Sequence, residues 1–327
     1  MSLKSQIINK LSNFWRVQKI YQGKAIILML HRIAPLNPHK LPANENMKVS
    51  PEFLENFIVH ARKEGYNFIS LDSLYEDLCK NTLKDKSLII TIDDGYKDNL
   101  EFGYPIFAKH DVPFCIYVCT SFPQREHNMW WFGLEDYLLT HHRVDFFGQS
   151  IDINTLQAKQ EVFLKFREVI IANSSNYQDA GNIMEKLGIF YNPGDYDSLA
   201  LSWEEIKIML NNKITTIGHH THTHPIFNNL ADDQIISELT LSNDLFSLHL
   251  GYIPKHFAYP FGSVAEVSKK HFQILKNAGF KTATTTRKGT LYPQHKKYLS
   301  ALPRVFFNES FKIQDCFKIR KKIIVTD

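Results

Sequence analysis

Short apolar runs alternate with stretches of helical periodicity along most of this chain. Compact apolar runs are typical of strands that are buried on both faces, and apolar positions three and four residues apart indicate helices that bury one face. The predicted strands are Ala25–Leu30, 68–71, 88–92, 114–119, 214–217, 256–259, 282–285 and Leu302–Phe306. The predicted helices between them are Pro51–Lys63, 72–79, 104–110, Asp232–Leu250 and 264–277. Strands separated by helices form βαβ units, so the pattern predicts an α/β protein with a parallel sheet.

One segment, residues 125–202, interrupts this alternation. It contains helical patterns at 134–140 and 155–172 and a hairpin pattern around 147–153. Near its start, Trp130 and Trp131 either cover a site, where they would contact a sugar or a lipid carrier, or begin a buried helix. We interpret the segment as a helical insertion in a single domain that spans residues 1–327.

The first 24 residues are predicted to be an amphipathic segment. Between residues 4 and 20, the apolar side chains of Ile7, Leu11 and Phe14 fall near one helical face, with basic residues interspersed. Such a helix can lie on a membrane surface, although docking on its own domain is the more common arrangement. No signal peptide or membrane-spanning run is recognisable. We therefore expect a cytoplasmic protein, with the inner face of the membrane as a second location.

Composition and charge exclude several classes of function. The hydrophobic content of 44% is enough for a substantial core, and the net charge of +4 comes from scattered lysines rather than from the basic stripe that nucleic-acid binding requires. Cys115 and Cys119 lie on one predicted strand, roughly 13 Å apart, which is too far for a disulfide. Because no C-x-x-C pair occurs, neither a disulfide framework nor a zinc ribbon is indicated, as is typical of a reducing compartment.

Chemically reactive side chains follow several of the predicted strands. His31 comes directly after the first strand, Asp93 and Asp94 come after residues 88–92, and a histidine cluster follows residues 214–217. The carboxyl ends of parallel strands meet at one edge of a barrel or sheet. We therefore expect these side chains to lie together at one rim.

The histidine cluster and the carboxylate pair have the composition of a catalytic zinc centre, which takes three protein ligands and leaves one position for water. If the cluster coils as one helical turn, His220 and His224 lie on the same side, whereas an extended geometry would also align His222. We favour His220 and His224 as ligands, and we interpret His219 and His222 as neighbouring groups. One carboxylate would bind the metal, and the other would take a proton from the attacking water.

Three motifs carry a resemblance to a known family. They are Thr-Ile-Asp-Asp-Gly-Tyr at 91–96, His-Thr-His-Thr-His-Pro at 220–225 and Phe-Ala-Tyr-Pro-Phe-Gly at 257–262. Together they resemble the motifs of the polysaccharide deacetylases (carbohydrate esterase family 4, NodB-like) from about residue 27 to residue 306. The resemblance implies a distorted, TIM-like (β/α) barrel with about seven strands.

The resemblance also implies a role for each motif residue. Asp93 would be the general base, and Asp94, His220 and His224 would bind a divalent metal. Zinc is the expected metal, with cobalt, nickel or manganese as alternatives. The main-chain N–H of Phe261 would help to stabilise the oxyanion, a role that any residue type can fill.

Aromatic side chains near the motifs are candidates for substrate binding. We predict that Tyr259, Trp130 and Trp131 contact the sugar. The expected partner is an N-acetylated sugar or glycan precursor. Peripheral membrane contact is a second expectation, and no nucleic acid is expected.

Two departures from the family pattern affect the catalytic assignments. The third motif has Ala258 where an arginine often orients the base, and Arg304 is a candidate replacement or, equally, a surface residue on a strand. No Leu-x-His motif follows Arg304 to supply an acid. His31 could be that acid, because His31-Arg32 resembles the N-terminal His-Arg of deacetylases that act on biofilm polysaccharides and have a permuted motif order.

These features predict metal-dependent hydrolysis of an N-acyl group, above all N-acetyl, from an amino sugar in a polysaccharide or in a lipid- or nucleotide-linked precursor. A sugar N-deformylase or another amidase on the same fold is the nearest alternative. A non-haem iron oxygenase also uses two histidines and a carboxylate, but usually on an antiparallel double sheet. A non-catalytic carbohydrate-binding relative would be expected to lack Asp93 or a ligand, and all of them are present.

Overall fold

The computed structural model describes residues 23–174 and 177–313. Within this part of the chain the strands are β1 Ala25–Leu30, β2 Arg32–Ile33, β3 Lys48–Val49, β4 Asn67–Phe68, β5 Ser87–Ile92, β6 Phe114–Val118, β7 Arg143–Phe146, β8 Gln149–Asp152, β9 Thr215–His219, β10 His256–Ala258, β11 Thr282–Lys288 and β12 Leu302–Phe306. The helices are α1 Pro42–Glu45, α2 Pro51–Lys63, α3 Leu71–Lys80, α4 Tyr104–Lys109, α5 Ser121–Gln124, α6 Trp130–Thr140, α7 Leu156–Asn173, α8 Tyr177–Lys186, α9 Trp203–Leu210, α10 Asp232–Leu250 and α11 Lys269–Asn277.

Seven parallel strands close into a barrel in the order β1-β12-β11-β10-β9-β6-β5, and β5 returns to β1. The closing pair is in register along the whole strand, from Ala25 opposite Ser87 to Leu30 opposite Ile92. The short β4 pairs with the start of β5 and stands outside the ring. The expected distorted (β/α) barrel of about seven strands is therefore confirmed.

Side chains on each barrel strand alternate between two apolar environments. On β1, Ile26, Leu28 and Leu30 belong to the layer packed against α2 and α9, whereas Ala25 and Ile27 belong to the cluster inside the barrel. Successive side chains of a strand point to opposite faces. Both faces of these strands are buried, which explains why they read as continuous apolar runs rather than as alternating ones.

Helix α3 closes the end of the barrel at which the strands begin. Leu71, Leu74 and Leu78 of this helix join the interior cluster with Ala25 and Ile27. This end of the barrel is therefore filled with apolar side chains, and the reactive groups of the motifs lie at the carboxyl ends of the strands.

The insertion packs around an apolar cluster that also includes Tyr96 and Phe122 from outside the insertion. The buried side chains of α6, α7 and α8 supply most of it, and the β7–β8 hairpin contributes Val144. Lys159 of α7 donates to the main-chain carbonyls of Leu138, Leu139 and His141, so its ammonium group ends α6. The predicted helices and hairpin of the insertion are present, while α8 was not predicted.

Several boundaries differ from the sequence prediction. The strand predicted at 68–71 ends at Phe68, because Ser70 accepts a hydrogen bond from the N–H of Ser73 and so begins α3. The helix predicted at 264–277 begins only at Lys269. By contrast, Ser50 caps α2 as predicted, accepting from the N–H of Phe53. The amphipathic residues 1–22 lie outside the described part of the chain, and no described helix is long and apolar enough to cross a membrane.

Candidate metal and active site

Asp94, His220 and His224 meet at the carboxyl ends of β5 and β9. Asp94 Oδ1 lies 3.3 Å from His220 Nε2 and 3.4 Å from His224 Nε2. Among the described residues this is the one group of three potential ligand atoms within 4.8 Å of one another. The structure thus brings together the three predicted ligands and leaves His222 out.

The donor set fits a cation. His220 Nδ1 lies 2.8 Å from the carbonyl oxygen of Ala258, which can only accept, so the proton sits on Nδ1 and the Nε2 lone pair faces Asp94. Asp94 Oδ1 is buried, and no hydrogen bond of normal geometry reaches it from the described residues. A lone pair of a neutral imidazole that faces a carboxylate oxygen at 3.3 Å is an arrangement that a divalent ion would stabilise.

Electrostatics keep these groups in the forms that bind metal. Burial alone would raise the pKa of Asp94, but the neighbouring imidazoles of His220 and His224 hold it well below its ordinary value. Burial lowers the pKa of His224 to about 4. At neutral pH the site therefore contains a carboxylate and at least one neutral imidazole.

The backbone of the site is strained at each motif. Asp94, Thr221, His224 and Phe261 are not glycines, yet their φ angles are 80°, 66°, 56° and 58°. Side chains with a Cβ rarely adopt this left-handed region, and such residues persist where the surrounding structure holds them. Observed strain of this kind is concentrated at functional sites.

Asp93, the second carboxylate, faces Arg304 inside the barrel. Arg304 Nη1 and Nη2 donate to the two carboxylate oxygens at 2.6 and 2.7 Å. Arg304 is 1% exposed, and its Nε donates to the carbonyl of Thr285. Burial raises the pKa of Asp93, but the charge of Arg304 outweighs this effect and holds the pKa below its usual range. Of the two interpretations of Arg304, the structure places it in the barrel interior and not on the surface.

His31 stands beside this carboxylate pair. Because Leu30 pairs with Ile92 in the β1–β5 register, the next residues, His31 and Asp93, leave the two strands side by side. The positive form of His31 contributes to lowering the pKa of both Asp93 and Asp94. Its Nδ1 is buried without a hydrogen bond to the described residues.

Phe261 closes the side of the site next to His224, with ring centroids 4.9 Å apart. Its carbonyl accepts from the hydroxyl of Thr286 at 2.7 Å, which fixes the turn. Its own N–H donates to no atom of the described residues. A main-chain donor is thus available where the resemblance implied one.

Two of the predicted sugar contacts are wrong. Tyr259 is fully buried, and its hydroxyl donates to the carbonyl of Ser300 at 3.0 Å, so this ring is part of the core. Trp130 is 5% exposed in the cluster of the insertion, which leaves the buried helix start as its correct interpretation. Trp131 is half-buried at the start of α6, and its contact with sugar stays a prediction.

The other two histidines of the cluster have different partners. His219 is enclosed by the rings of Phe246, Phe257 and Phe280. His222 places Nδ1 2.9 Å from the hydroxyl of Thr120 and Nε2 3.1 Å from a Glu126 carboxylate oxygen. Neither imidazole contacts Asp94.

Sequence reasoning missed a buried ion pair beside His31. Arg32 Nε lies 2.7 Å from Asp98 Oδ2, and the guanidinium sits 5.1 Å from the ring centroid of Tyr96 and 5.2 Å from that of Phe132. Phe132 belongs to the insertion, so this contact joins the insertion to the Asp93-Asp94 loop. The signal in the sequence was only that Arg32 and Asp98 are charged residues flanking the motifs.

Comparisons with known proteins agree with this geometry. The sequence model of the family described as Polysaccharide deacetylase matches residues 80–283, which is more than half of the chain. None of the curated proteins matches the sequence at a significant level.

Solved structures share the fold at low sequence identity. The Streptococcus pyogenes deacetylase PplD in complex with acetate has a TM-score of 0.60 and 20% identity, covering 88% of this chain and 93% of that one. IcaB from Ammonifex degensii has a TM-score of 0.58 and 17% identity, covering 88% of this chain and 94% of that one. A de-N-acetylase from Aggregatibacter actinomycetemcomitans has a TM-score of 0.56 and 11% identity, covering 89% of this chain and 97% of that one. The barrel, the placement of the 91–96 and 220–225 motifs at its rim and the family match over residues 80–283 show that this chain belongs to the polysaccharide deacetylase family.

Proposed function

We propose that this protein uses a divalent metal ion, zinc in the first instance, to hydrolyse the N-acetyl group of an amino sugar in a glycan or glycan precursor. The observation that carries the proposal is that the two adjacent carboxylates have different neighbours. Asp94 faces two imidazoles, whereas Asp93 faces a guanidinium. This difference supports Asp94 as the metal ligand and Asp93 as the proton acceptor.

Asp94, His220 and His224 would hold the ion, which when bound supplies Lewis-acid polarisation of the acyl carbonyl and of the attacking water. Asp93 accepts the proton of that water. Its bidentate pairing with Arg304 fixes the direction of the carboxylate and keeps it ionised, as a general base requires.

The remaining steps need an oxyanion donor and an acid. The Phe261 N–H supports the tetrahedral oxyanion by a main-chain hydrogen bond. His31 protonates the sugar nitrogen, because an amine leaves an acyl carbon poorly unless it is protonated. We include His31-Arg32 in this proposal as the N-terminal His-Arg motif.

Acetyl rather than formyl is supported by the fold relatives. PplD was solved with acetate, and another relative is a de-N-acetylase. An N-deformylase would use the same residues, so the acyl group must be measured. The iron-oxygenase alternative has no use for a base held by Arg304.

The first test is the metal content of the purified protein and of His220→Ala and Asp94→Ala, by elemental analysis. About one zinc per chain, lost from both variants, together with acetate release from N-acetylglucosamine oligomers, is the expected result. Retention of zinc by both variants would show that the ligands are wrong, and formate release from N-formyl sugars without acetate release would select the deformylase.

A second test isolates His31. We expect His31→Ala to lower turnover of the N-acetyl sugar and to spare 4-methylumbelliferyl acetate, whose phenolate leaves without a proton. Equal turnover of the amide by parent and variant would exclude His31 as the acid.

We also propose that the substrate is a lipid- or nucleotide-linked precursor handled in the cytoplasm or at the inner face of the membrane. The amphipathic pattern of residues 4–20 supports this proposal. Cell fractionation tests it: recovery of the full chain outside the cell would contradict it.

A further inference from the structure

Glu238 lies outside every motif, on α10, and it binds the loop between the two candidate histidine ligands. Its Oε2 accepts from the main-chain N–H groups of His222 at 3.0 Å and Thr223 at 2.9 Å. Its Oε1 accepts from the Thr223 hydroxyl at 2.7 Å. One half-buried carboxylate therefore accepts from three donors on two adjacent residues.

The loop that Glu238 binds is not stable by its own geometry. Thr221 and His224, at its two ends, are in the left-handed region, and Pro225 prevents its continuation as a helix. Successive N–H groups next to a left-handed residue form a concave nest that binds an anion. The Glu238 carboxylate occupies the nest formed by His222 and Thr223.

Other contacts hold the carbonyl groups of this loop and the N–H groups of Thr221 and His224, which donate to His219 Nδ1 and to the Thr221 hydroxyl, but they do not reach the two N–H groups between them. The Thr221 carbonyl accepts from the Thr120 N–H and the Ser242 hydroxyl. Among the described residues, only Glu238 accepts from the N–H groups of His222 and Thr223. Without Glu238, these two N–H groups would lose their acceptor. The strained loop would then lose one of the contacts that hold it in place.

We propose that Glu238 is a positioning residue of the metal site, which holds the 220–224 loop so that His220 and His224 face Asp94. This inference rests on the proposed function, because it takes those three residues as the ligands. Glu238 acts through the loop by hydrogen bonds, and it touches neither imidazole. Groups that hydrogen-bond a ligand directly change metal affinity by about 10- to 100-fold when they are removed, and we expect the same range for a group that holds the loop carrying two ligands.

The experiment measures the zinc dissociation constant of the full-length protein by competition with a chromogenic chelator. We expect Glu238→Ala to weaken zinc binding about 10- to 100-fold. Glu238→Gln, whose amide oxygen can accept from the same N–H groups, should keep most of the affinity. Asp244→Ala is the matched control, since it removes an exposed carboxylate from the same helix. Its affinity should equal that of the parent.

Each outcome separates this inference from the proposed function. If the parent binds no zinc, or if His220→Ala retains it, the proposed metal site itself is wrong. If His220→Ala loses zinc while Glu238→Ala keeps the parent affinity, only the role of Glu238 is overturned. Equal losses in Glu238→Gln and Glu238→Ala would also overturn it, because they would point to charge instead of hydrogen bonding.

A milder variant keeps the test decisive if circular dichroism shows that Glu238→Ala is unfolded. Thr223→Val removes only the hydroxyl contact with Glu238. A loss of affinity of at least about twofold, the size expected for one hydrogen bond, supports the inference. Unchanged affinity overturns it.

Discussion

Asp93 and Arg304 meet inside the barrel through two hydrogen bonds of 2.6 and 2.7 Å, although 211 residues separate them in the chain. β1 lies between their strands, β5 and β12, so the pair exists only when the barrel is closed. The fork of the guanidinium matches both carboxylate oxygens, which fixes the direction of the carboxylate as well as its charge.

This geometry predicts that Arg304→Lys is a damaging substitution. Lysine keeps the charge but cannot form the bidentate contact, so the base is misdirected and kcat should fall about 100-fold while zinc content is unchanged. Steady-state kinetics and elemental analysis of one preparation check both parts. A kcat within about twofold of the parent value would contradict the orienting role.

Arg304→Ala should act on stability as well. It leaves the carboxylate of Asp93 buried without its partner, at a cost of about 3–5 kcal/mol in the free energy of unfolding. Urea denaturation measures this loss. The double variant Arg304→Ala with Asp93→Ala should recover part of it, because no unpaired charge then remains.

Zinc should stabilise the parent protein against heat. Binding to the folded state alone adds about 2.7 kcal/mol when free zinc is 100 times the dissociation constant. Thermal unfolding with and without added zinc should therefore show a rise in Tm for the parent and none for Asp94→Asn. An equal rise in both proteins would mean that zinc binds elsewhere.

The buried His271 should make the protein less stable in mild acid. Burial lowers its pKa to about 4, whereas the same imidazole in the unfolded chain titrates near its ordinary value of 6.5. As the pH falls, the imidazole is therefore protonated first in the unfolded state. His271 does not reduce the free energy of unfolding above pH 6.5, and it reduces it progressively as the pH falls from 6.5 toward 4. Stability should therefore be lower at pH 5 than at pH 7.5.

The matched variant for this prediction is His271→Gln. Gln does not titrate, and it can accept from the Ser268 N–H as His271 Nδ1 does. Urea midpoints of metal-free protein near pH 7.5 and pH 5 should differ less in the variant than in the parent. An identical difference in both proteins would assign the acid sensitivity to other groups.

Glu135 anchors the insertion to the segment that follows His31. Its buried Oε1 accepts from the N–H of Leu41 at 2.7 Å, and Leu41 itself is fully buried. Glu135→Ala leaves that donor without a partner, so the free energy of unfolding should fall by about 1–3 kcal/mol. The half-exposed neighbour Asp136, which pairs with Lys40, is the control, and Asp136→Ala should cost less than about 1 kcal/mol. Equal effects of the two substitutions would contradict the anchoring role.

Local patterns in the sequence were enough for much of the fold. α2 and α10 begin and end where predicted, and β1 and β12 do as well. Strand and helix signals of this kind are determined by neighbouring residues, through caps and apolar spacing. The placement of Asp94, His220 and His224 at one rim followed from a rule about parallel strands, together with the family resemblance.

Side-chain burial and long-range pairing were decided only by the tertiary structure. Tyr259 sits in a motif, yet its ring points into the core, because the direction of its side chain depends on the pleat and the twist of the strand that leads into it. The bond from Glu238 to the histidine loop had no signal within an ordinary helical pattern. Arg304 could be a surface residue or the partner of Asp93 until barrel closure brought β12 next to β1. Contacts between residues that are far apart in the chain depend on strand order and register, and neighbouring residues do not specify these.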